Sequence, residues 1–267
     1  MDVKEFFRKR PSDDVAMAVD FVMVSLLLLF VGAWAWRTYM TTAPYVDPDK
    51  YPIRGIDVSA HNGMINFESV AGDGYEFVFM KATEGSSFRD TNLRLNYEKA
   101  TEAGLLVGVY HYFRFDDDGV EQARNLLRAI GDRELDLGIA VDVETEGNAT
   151  GVPLDSIKVR LRDMTEYLNL HGYRVLFYSN RDGYYDLLLP EMEGMPLWIC
   201  SFQSNPIEAE WTFWQYDHRG RVRGINGDVD LNAFSGSRAD FRGFVLDSRR
   251  VPGQKKLVCL IYNLLEL

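Results

Sequence analysis

The sequence predicts an α/β fold: an eight-stranded barrel with an incomplete helical ring, preceded by one N-terminal transmembrane helix. Three observations predict it. Strand-length apolar runs alternate with stretches of helical period after residue 50, the rhythm then shortens to strands with little room for helices between them, and a long apolar run precedes both. With 267 residues, 46% of them hydrophobic, the chain can fill one large core.

From the N-terminus, residues 1–14 form a segment with Lys4, Arg8, Lys9 and Arg10, expected to be cytoplasmic. Phe21 to Trp36 is apolar or small throughout, and extension back to Val15 gives roughly the 20 residues a bilayer requires, interrupted by Asp20. Residues 15–40 are therefore expected to be a signal-anchor helix. The far side opens with Arg37 alone and turns acidic at Asp47 and Asp49, so the charge bias sets the N-terminus inside. The chain is thus expected to be single-pass in the cytoplasmic (inner) membrane, its barrel facing the periplasm or exterior. The rival reading is a signal peptide cleaved at Thr41-Thr42-Ala43. The apolar run exceeds the roughly 7–15 residues of a signal core, which favours the anchor.

Residues 41–50, with Pro44 and Pro48, read as a linker and 51–241 as the barrel domain. Within it Ile53–Val58, Phe77–Ala82, Leu105–Tyr112, Leu137–Val143 and Arg174–Tyr178 read as buried strands. Thr91–Ala103, Val120–Ile130 and Pro153–His171 carry helical spacing, and Gly104 and Gly172 stand where helices stop. Pro196–Cys200, Trp211–Tyr216 and Asp228–Leu231 complete the barrel. Residues 242–267 are expected to be a tail, with Leu257–Leu267 an apolar helix candidate.

Composition narrows the function. A net charge of −11 argues against a nucleic-acid partner. Two cysteines, Cys200 and Cys259, give neither a disulfide framework nor a thiolate zinc site, and His61, His111, His171 and His218 lack metal-ligand spacing. Neither metal nor cofactor is expected.

What remains is carboxylate chemistry. Asp142 and Glu144, at i and i+2 on a strand, point to one face about 6.5–7 Å apart at the backbone. Partial burial and like-charge proximity raise such carboxyls toward the range a general acid needs. Asp57 and Asp230 are expected to end the first and last strands, which are neighbours in a closed barrel. Four acids at the C-terminal ends of strands would meet at one mouth, as glycosidic cleavage requires of an acid and a second carboxylate. Tyr110, Tyr112, Tyr178, Trp214 and Tyr216 close other strands and could present flat faces to sugar rings. Lys81 and Glu84 read equally as an ion pair or as contacts to polar substituents.

These residues fall in ordered motifs: Gly55-Ile56-Asp57-Val58-Ser59, Phe79-Met80-Lys81-Ala82-Thr83-Glu84-Gly85, Gly108-Val109-Tyr110-His111-Tyr112-Phe113 and Asp142-Val143-Glu144, then Tyr178-Ser179-Asn180, Leu197-Trp198-Ile199, Trp214-Gln215-Tyr216 and Gly227-Asp228-Val229-Asp230-Leu231-Asn232. In that order they resemble glycoside hydrolase family 25, the Chalaropsis-type muramidases. The resemblance implies an irregular TIM-like (β/α)5(β)3 barrel and hydrolysis of the β-1,4 bond between N-acetylmuramic acid and N-acetylglucosamine in peptidoglycan, in wall remodelling or lysis. It implies Glu144 as general acid, Asp142 as the carboxylate that orients the acetamido group or activates water, and Asp57 and Asp230 as supporting carboxylates. Trp198 and Gln215 join Lys81, Glu84 and the aromatic residues as substrate contacts, with peptidoglycan glycan strands as partner. The chain departs from the family's pattern at Cys200-Ser201-Phe202 and Arg181–Leu189. A chitinase-like hydrolase would need an acid where Ala140 stands, and a non-catalytic wall-binding module would not require four carboxylates together.

Overall fold

A computed structural model describes residues 13–41, 44–202 and 206–249; the flank ahead of residue 13 and the Leu257–Leu267 candidate lie outside them. The chain divides into two units, Met1–Ala43 and Pro44–Leu267. The first holds helix α1, Asp13–Thr41. Its Met17–Trp34 window has a mean hydropathy of 2.2 and is long and apolar enough to cross a membrane, a test an N-terminal signal sequence also meets.

The second unit is the barrel. Strands β1 (Arg54–Val58), β2 (Phe77–Glu84), β4 (Leu106–Tyr112), β5 (Ile139–Asp142), β6 (Val175–Asn180), β7 (Leu197–Cys200), β8 (Phe213–Gly220) and β9 (Val229–Phe234) close on themselves, with β3 (Phe88–Arg89) folding back on β2 as a hairpin. Neighbours from β1 through β2 and β4 to β8 pair parallel. β9 runs antiparallel to both β8 and β1. Helices α2 (Phe67–Gly72), α3 (Leu93–Glu102), α4 (Gly119–Ile130) and α5 (Leu154–Leu170) fill the first four crossovers, and a helical turn with a π-type extension over Arg181–Leu188 fills the fifth. Among the described residues no crossover helix follows β7, so the helical ring is incomplete, as the shortened rhythm predicts.

Local chemistry sets the boundaries. Asn66 accepts from Ser69 N at the start of α2, Asp118 from Glu121 N at α4, and neither α2 nor β3 has enough residues to print a period in the sequence. Gly104 and Gly172 follow α3 and α5 with φ of 80° each, a conformation that costs glycine least.

Strand alternation makes two cores. Outward residues such as Ile56, Val78, Val109, Val141, Phe177 and Ile199 pack under the helices. Inward residues fill the barrel floor: Phe77 and Phe79 of β2, Trp198 of β7, Phe213 of β8 and Phe234 of β9. A further helix, α6 (Arg238–Ser248), begins with a capping box at Ser237 and inserts Phe241, Phe244 and Val245 beneath these rings. The expected tail boundary at residue 242 therefore falls inside a helix that plugs the barrel, because the aromatic floor left apolar surface to cover. Phe241 lies 5.8 Å from Phe77 and Phe244 5.2 Å from Phe213, centroid to centroid.

The floor leaves no room for side chains at certain positions. A Cβ on Gly108 would stand 2.4 Å from Cε1 of Phe79 and 2.9 Å from Cβ of Leu137, whereas one on Gly243 of α6 meets nothing within 4 Å. Gly108→Ala is expected to destabilise the barrel by ~1–3 kcal/mol through overpacking. Gly243→Ala is expected to be neutral or stabilising by up to ~1 kcal/mol through helix propensity. Denaturant unfolding of the full chain in detergent measures both, and equal effects would contradict the packing account.

Candidate active site

The polar residues sit at the upper end of the same inward-facing rows. A cleft of about 210 Å³ is lined by Asp57, Tyr110, Asp142, Glu144, Tyr178, Trp198, Gln215 and Asp230. A larger cavity of about 540 Å³, with Arg174, Leu197 and Thr212 in its wall, opens at the opposite ends of the strands and has no carboxylate cluster. The eight candidate residues meet in the smaller one.

Asp57 is the fourth residue of β1 and pairs across the sheet with Asp230. Asp230 does not end its strand as expected: it is the second residue of β9, and the antiparallel course of β9 brings that beginning to the same mouth. Asp142 ends β5; Glu144 lies just past the strand, its loop tied by Asn148 Nδ2 donating to the carbonyls of Glu144 (2.8 Å) and Phe113 (2.9 Å). Ser179 Oγ donates to the carbonyl of Val143 between the two acids at 2.6 Å. Asn148 was not among the expected residues; its spacing from Glu144 carries no signal until the loops after β4 and β5 are side by side.

Burial raises all four carboxyls. Asp57 is pushed up to about 6 by burial, against hydrogen bonds from Asn232 and Gln215. Asp230 goes to about 8 through burial and the facing charge of Asp57. Glu144, half-buried, is pushed to about 7 by burial and then by Glu146 and Asp57. Asp142 lies well above its usual range through burial and the charge of Glu144, with Lys81 opposing. Among the described residues, Asp142 Oδ1 is a buried polar atom without a hydrogen-bond partner. Leaving such an oxygen unpaired costs about 1–3 kcal/mol, a cost that a donor brought by a ligand removes.

The other candidates separate. Lys81 points into the mouth but pairs with Glu84 at 2.8 Å, and its Nζ lies 5.3 Å from the ring centre of Tyr112. Arg114 approaches Glu84 at 3.6 Å, so this is an ion-pair cluster on the rim. Tyr112 donates to the carbonyl of Glu146 and holds the Glu144 loop. Trp214 and Tyr216 do not join the cleft: strand alternation turns them outward, where Trp214 packs on Tyr51 and Trp211 and its Nε1 donates to the Ser201 carbonyl at 2.7 Å. Gln215, between them, is the residue that faces in.

A buried network also braces this rim from outside. Thr83 Oγ1 lies 2.7 Å from His111 Nδ1, and His111 Nε2 3.0 Å from Gln122 Oε1. Burial lowers His111 to about 4, so the ring is neutral, donating from Nε2 and accepting at Nδ1. Gln122 in turn donates to the carbonyls of Arg114 and Asp117, fixing the loop after β4. Alternating motifs contain His111 and Thr83 but say nothing of their partner on α4.

The family model for Glycosyl hydrolases family 25 matches residues 56–225. The chain is 35% identical over 185 residues to the autolytic lysozyme of Clostridium acetobutylicum, a match that covers 68% of this chain and spans 56% of that protein's length. A family 25 glycosyl hydrolase from Bacillus anthracis superposes with a TM-score of 0.70 at 31% identity, over 75% of this chain and 96% of that one. The bacterial lysozyme from Streptomyces coelicolor does so at 0.68 and 30% identity, over 73% and 98%.

The raised carboxyls link the site to stability. An acid whose folded pKa exceeds its unfolded one stabilises the fold below the unfolded value and loses that contribution as pH rises through the folded value. His111, lowered, contributes above its ordinary value and loses that contribution as pH falls through 6.5 toward about 4. Between pH 6.5 and 8 the carboxyls act alone, so stability is expected to fall as Glu144 and Asp230 ionise. Asp230→Asn is expected to gain on the order of 2 kcal/mol above pH 8 and little near pH 4. Denaturant midpoints across pH check this; an unchanged slope would mean that Asp230 holds no proton in the fold.

Proposed function

The chain belongs to the glycosyl hydrolases family 25, and from that membership we propose that it is an N-acetylmuramidase cleaving the β-1,4 bond between N-acetylmuramic acid and N-acetylglucosamine of peptidoglycan. The observation that carries this reading is the pairing, in one cleft, of a proton-bearing acid with a carboxylate that has an unsatisfied oxygen. Glu144, pushed to about 7, holds a proton at neutral pH and serves as general acid to the leaving oxygen. Asp142, beside it, accepts the acetamido N–H of the substrate at its unpartnered Oδ1. That donor stabilises the charge on Asp142 and leaves the shared proton on Glu144. The resulting carboxylate offsets the positive charge that develops at the anomeric carbon, directly or through the acetamido oxygen.

Asp57 and Asp230 contribute charge balance beneath the reacting pair, while Tyr110, Tyr178 and Trp198 give the sugar an aromatic wall. Lys81 and Glu84, engaged with each other, shape the rim. Ala140, buried in the barrel below Asp142, removes the third acid that a chitinase-like D-x-D-x-E array would need.

α1 anchors the enzyme in the cytoplasmic membrane with its N-terminus inside, so that the barrel meets peptidoglycan on the outer side. Only the length and apolarity of Met17–Trp34 and its flanking charges support this placement. Deleting residues 17–34 is expected to move the chain from the membrane to the soluble fraction. A mature protein starting near Pro44 would overturn the anchor.

Glu144→Gln is expected to abolish release of reducing ends from purified peptidoglycan, by 10²–10⁴-fold or more, while binding persists, because the amide keeps the shape and cannot give a proton (roughly the span for a positioned acid). Lys81→Ala is expected to retain measurable turnover. New reducing ends should be muramic acid; near-normal turnover by Glu144→Gln, or N-acetylglucosamine at the new ends, would overturn the assignment.

A further inference from the structure

Beneath the reacting carboxylates, a chain of hydrogen bonds links four side chains to Asp57. Trp198 Nε1 donates to Asn232 Oδ1 at 2.8 Å, and Tyr178 OH donates to Gln215 Oε1 at 2.9 Å. Asn232 Nδ2 and Gln215 Nε2 then both donate to a single oxygen, Oδ2 of Asp57, at 2.8 and 2.9 Å. A carboxamide is nearly the same shape either way round, so packing alone does not decide which end faces the aspartate. An indole N–H can only donate. Asn232 must therefore give its oxygen to Trp198, which turns its NH2 onto Asp57; the Tyr178 hydroxyl, which can donate or accept, here donates to Gln215 Oε1 and leaves that NH2 on Asp57 as well.

We propose that Trp198 and Tyr178 are positioning residues that, acting through Asn232 and Gln215, keep Asp57 as the charged member and Asp230 as the proton-bearing member of their pair. This rests on the hydrolytic reading of the cleft. Asp57 and Asp230 are cross-strand partners in register and the charge of Asp57 raises Asp230, so a single proton on one of them relieves the repulsion between both. Two amide donors on one oxygen favour charge there. Asp217 of β8 raises Asp230 and so favours the same order, while the remaining groups around the pair do not distinguish its members. Tyr110 from β4, Asp142 and Glu144 from β5 and its loop, Tyr178 from β6 and Cys200 from β7 are acidic or neutral, and Tyr178 also bonds the Cys200 thiol. Lys81 of β2 acts on Asp142.

The consequence reaches the general acid. A single negative charge held at Asp57 raises Glu144, helping it keep its proton near neutrality. Trp198 and Tyr178, which line the cleft as sugar contacts, thus also act from below through the amides of Asn232 and Gln215.

The test is a 13C-carboxyl NMR titration of Asp57 and Asp230 in the full chain in detergent, run beside the pH profile of kcat/KM on peptidoglycan. The variants are Asn232→Leu, which removes one donor at nearly constant shape, and Tyr178→Phe, which deletes one hydroxyl. Asn232→Leu is expected to raise the Asp57 pKa by about one unit, a tenfold change in its ionisation constant, and to move the acidic limb of the profile upward with it. Tyr178→Phe should shift both in the same direction by less. If Asn232→Leu fails to fold, Tyr178→Phe decides. Asp57 titrating as in the unaltered chain, with activity scaled down equally at every pH, would overturn the proposal. The ionisation order is read without turnover: if it holds while the unaltered chain leaves peptidoglycan intact, the positioning stands and the muramidase reading falls.

Discussion

Closure of eight strands into a barrel imposes one constraint from which the rest follows: every second residue of every strand must point into the same narrow interior. In an open sheet such residues could face a helix layer or solvent; here they meet each other. The interior is consequently layered. Phe77, Phe79, Phe213, Phe234 and Trp198 fill the lower part, Gln215 and Asn232 stand above them, and Asp57, Asp142, Glu144 and Asp230 occupy the mouth. Apolar rings below exclude water from beneath the acids, and that exclusion raises their pKa values.

The layers depend on one another in both directions. An aromatic floor of this bulk leaves apolar surface at the bottom of the barrel, and α6 covers it with Phe241, Phe244 and Val245. The amide layer reconciles an apolar floor with a charged mouth. Trp198 is stacked on Phe79 at 4.5 Å between centroids while its N–H reaches up to Asn232. A side chain with an apolar body and one polar atom is what such a boundary requires. The acids are held away from their ordinary ionisation at a cost in stability that grows with pH, an arrangement in which the fold's optimum and the site's optimum diverge.

Around the mouth, most polar side chains serve to hold loops. Asn148, Tyr112 and Ser179 fix the segment that carries Glu144; His111, Thr83 and Gln122 fix the loop beside it; Lys81, Glu84 and Arg114 neutralise one another on the rim. The unpartnered oxygen of Asp142 differs from these saturated groups. Among the described residues it is the one orphaned buried acceptor, the place where the proposed reading sets a donor of the substrate.

The sequence by itself determined the barrel, since alternation and helix period are local properties that survive without knowledge of contacts, and its ordered motifs singled out Asp57, Asp142, Glu144 and Asp230, which the fold brings into one cleft. It also carried the parity that separates Gln215 from Trp214 and Tyr216, though the aromatic character of the latter pair drew them toward the sugar. Tertiary structure alone decided the rest. The antiparallel return of β9 placed the beginning of that strand, and hence Asp230, beside Asp57. It extended the domain past residue 242, because α6 is held by a floor assembled from β2, β8 and β9. It joined Trp198 to Asn232 and Tyr178 to Gln215, partners 34 and 37 residues apart. Which carboxyl keeps a proton was likewise undecidable from spacing, since it depends on burial and on the direction of an amide, and both are set only when distant strands close around the same cleft.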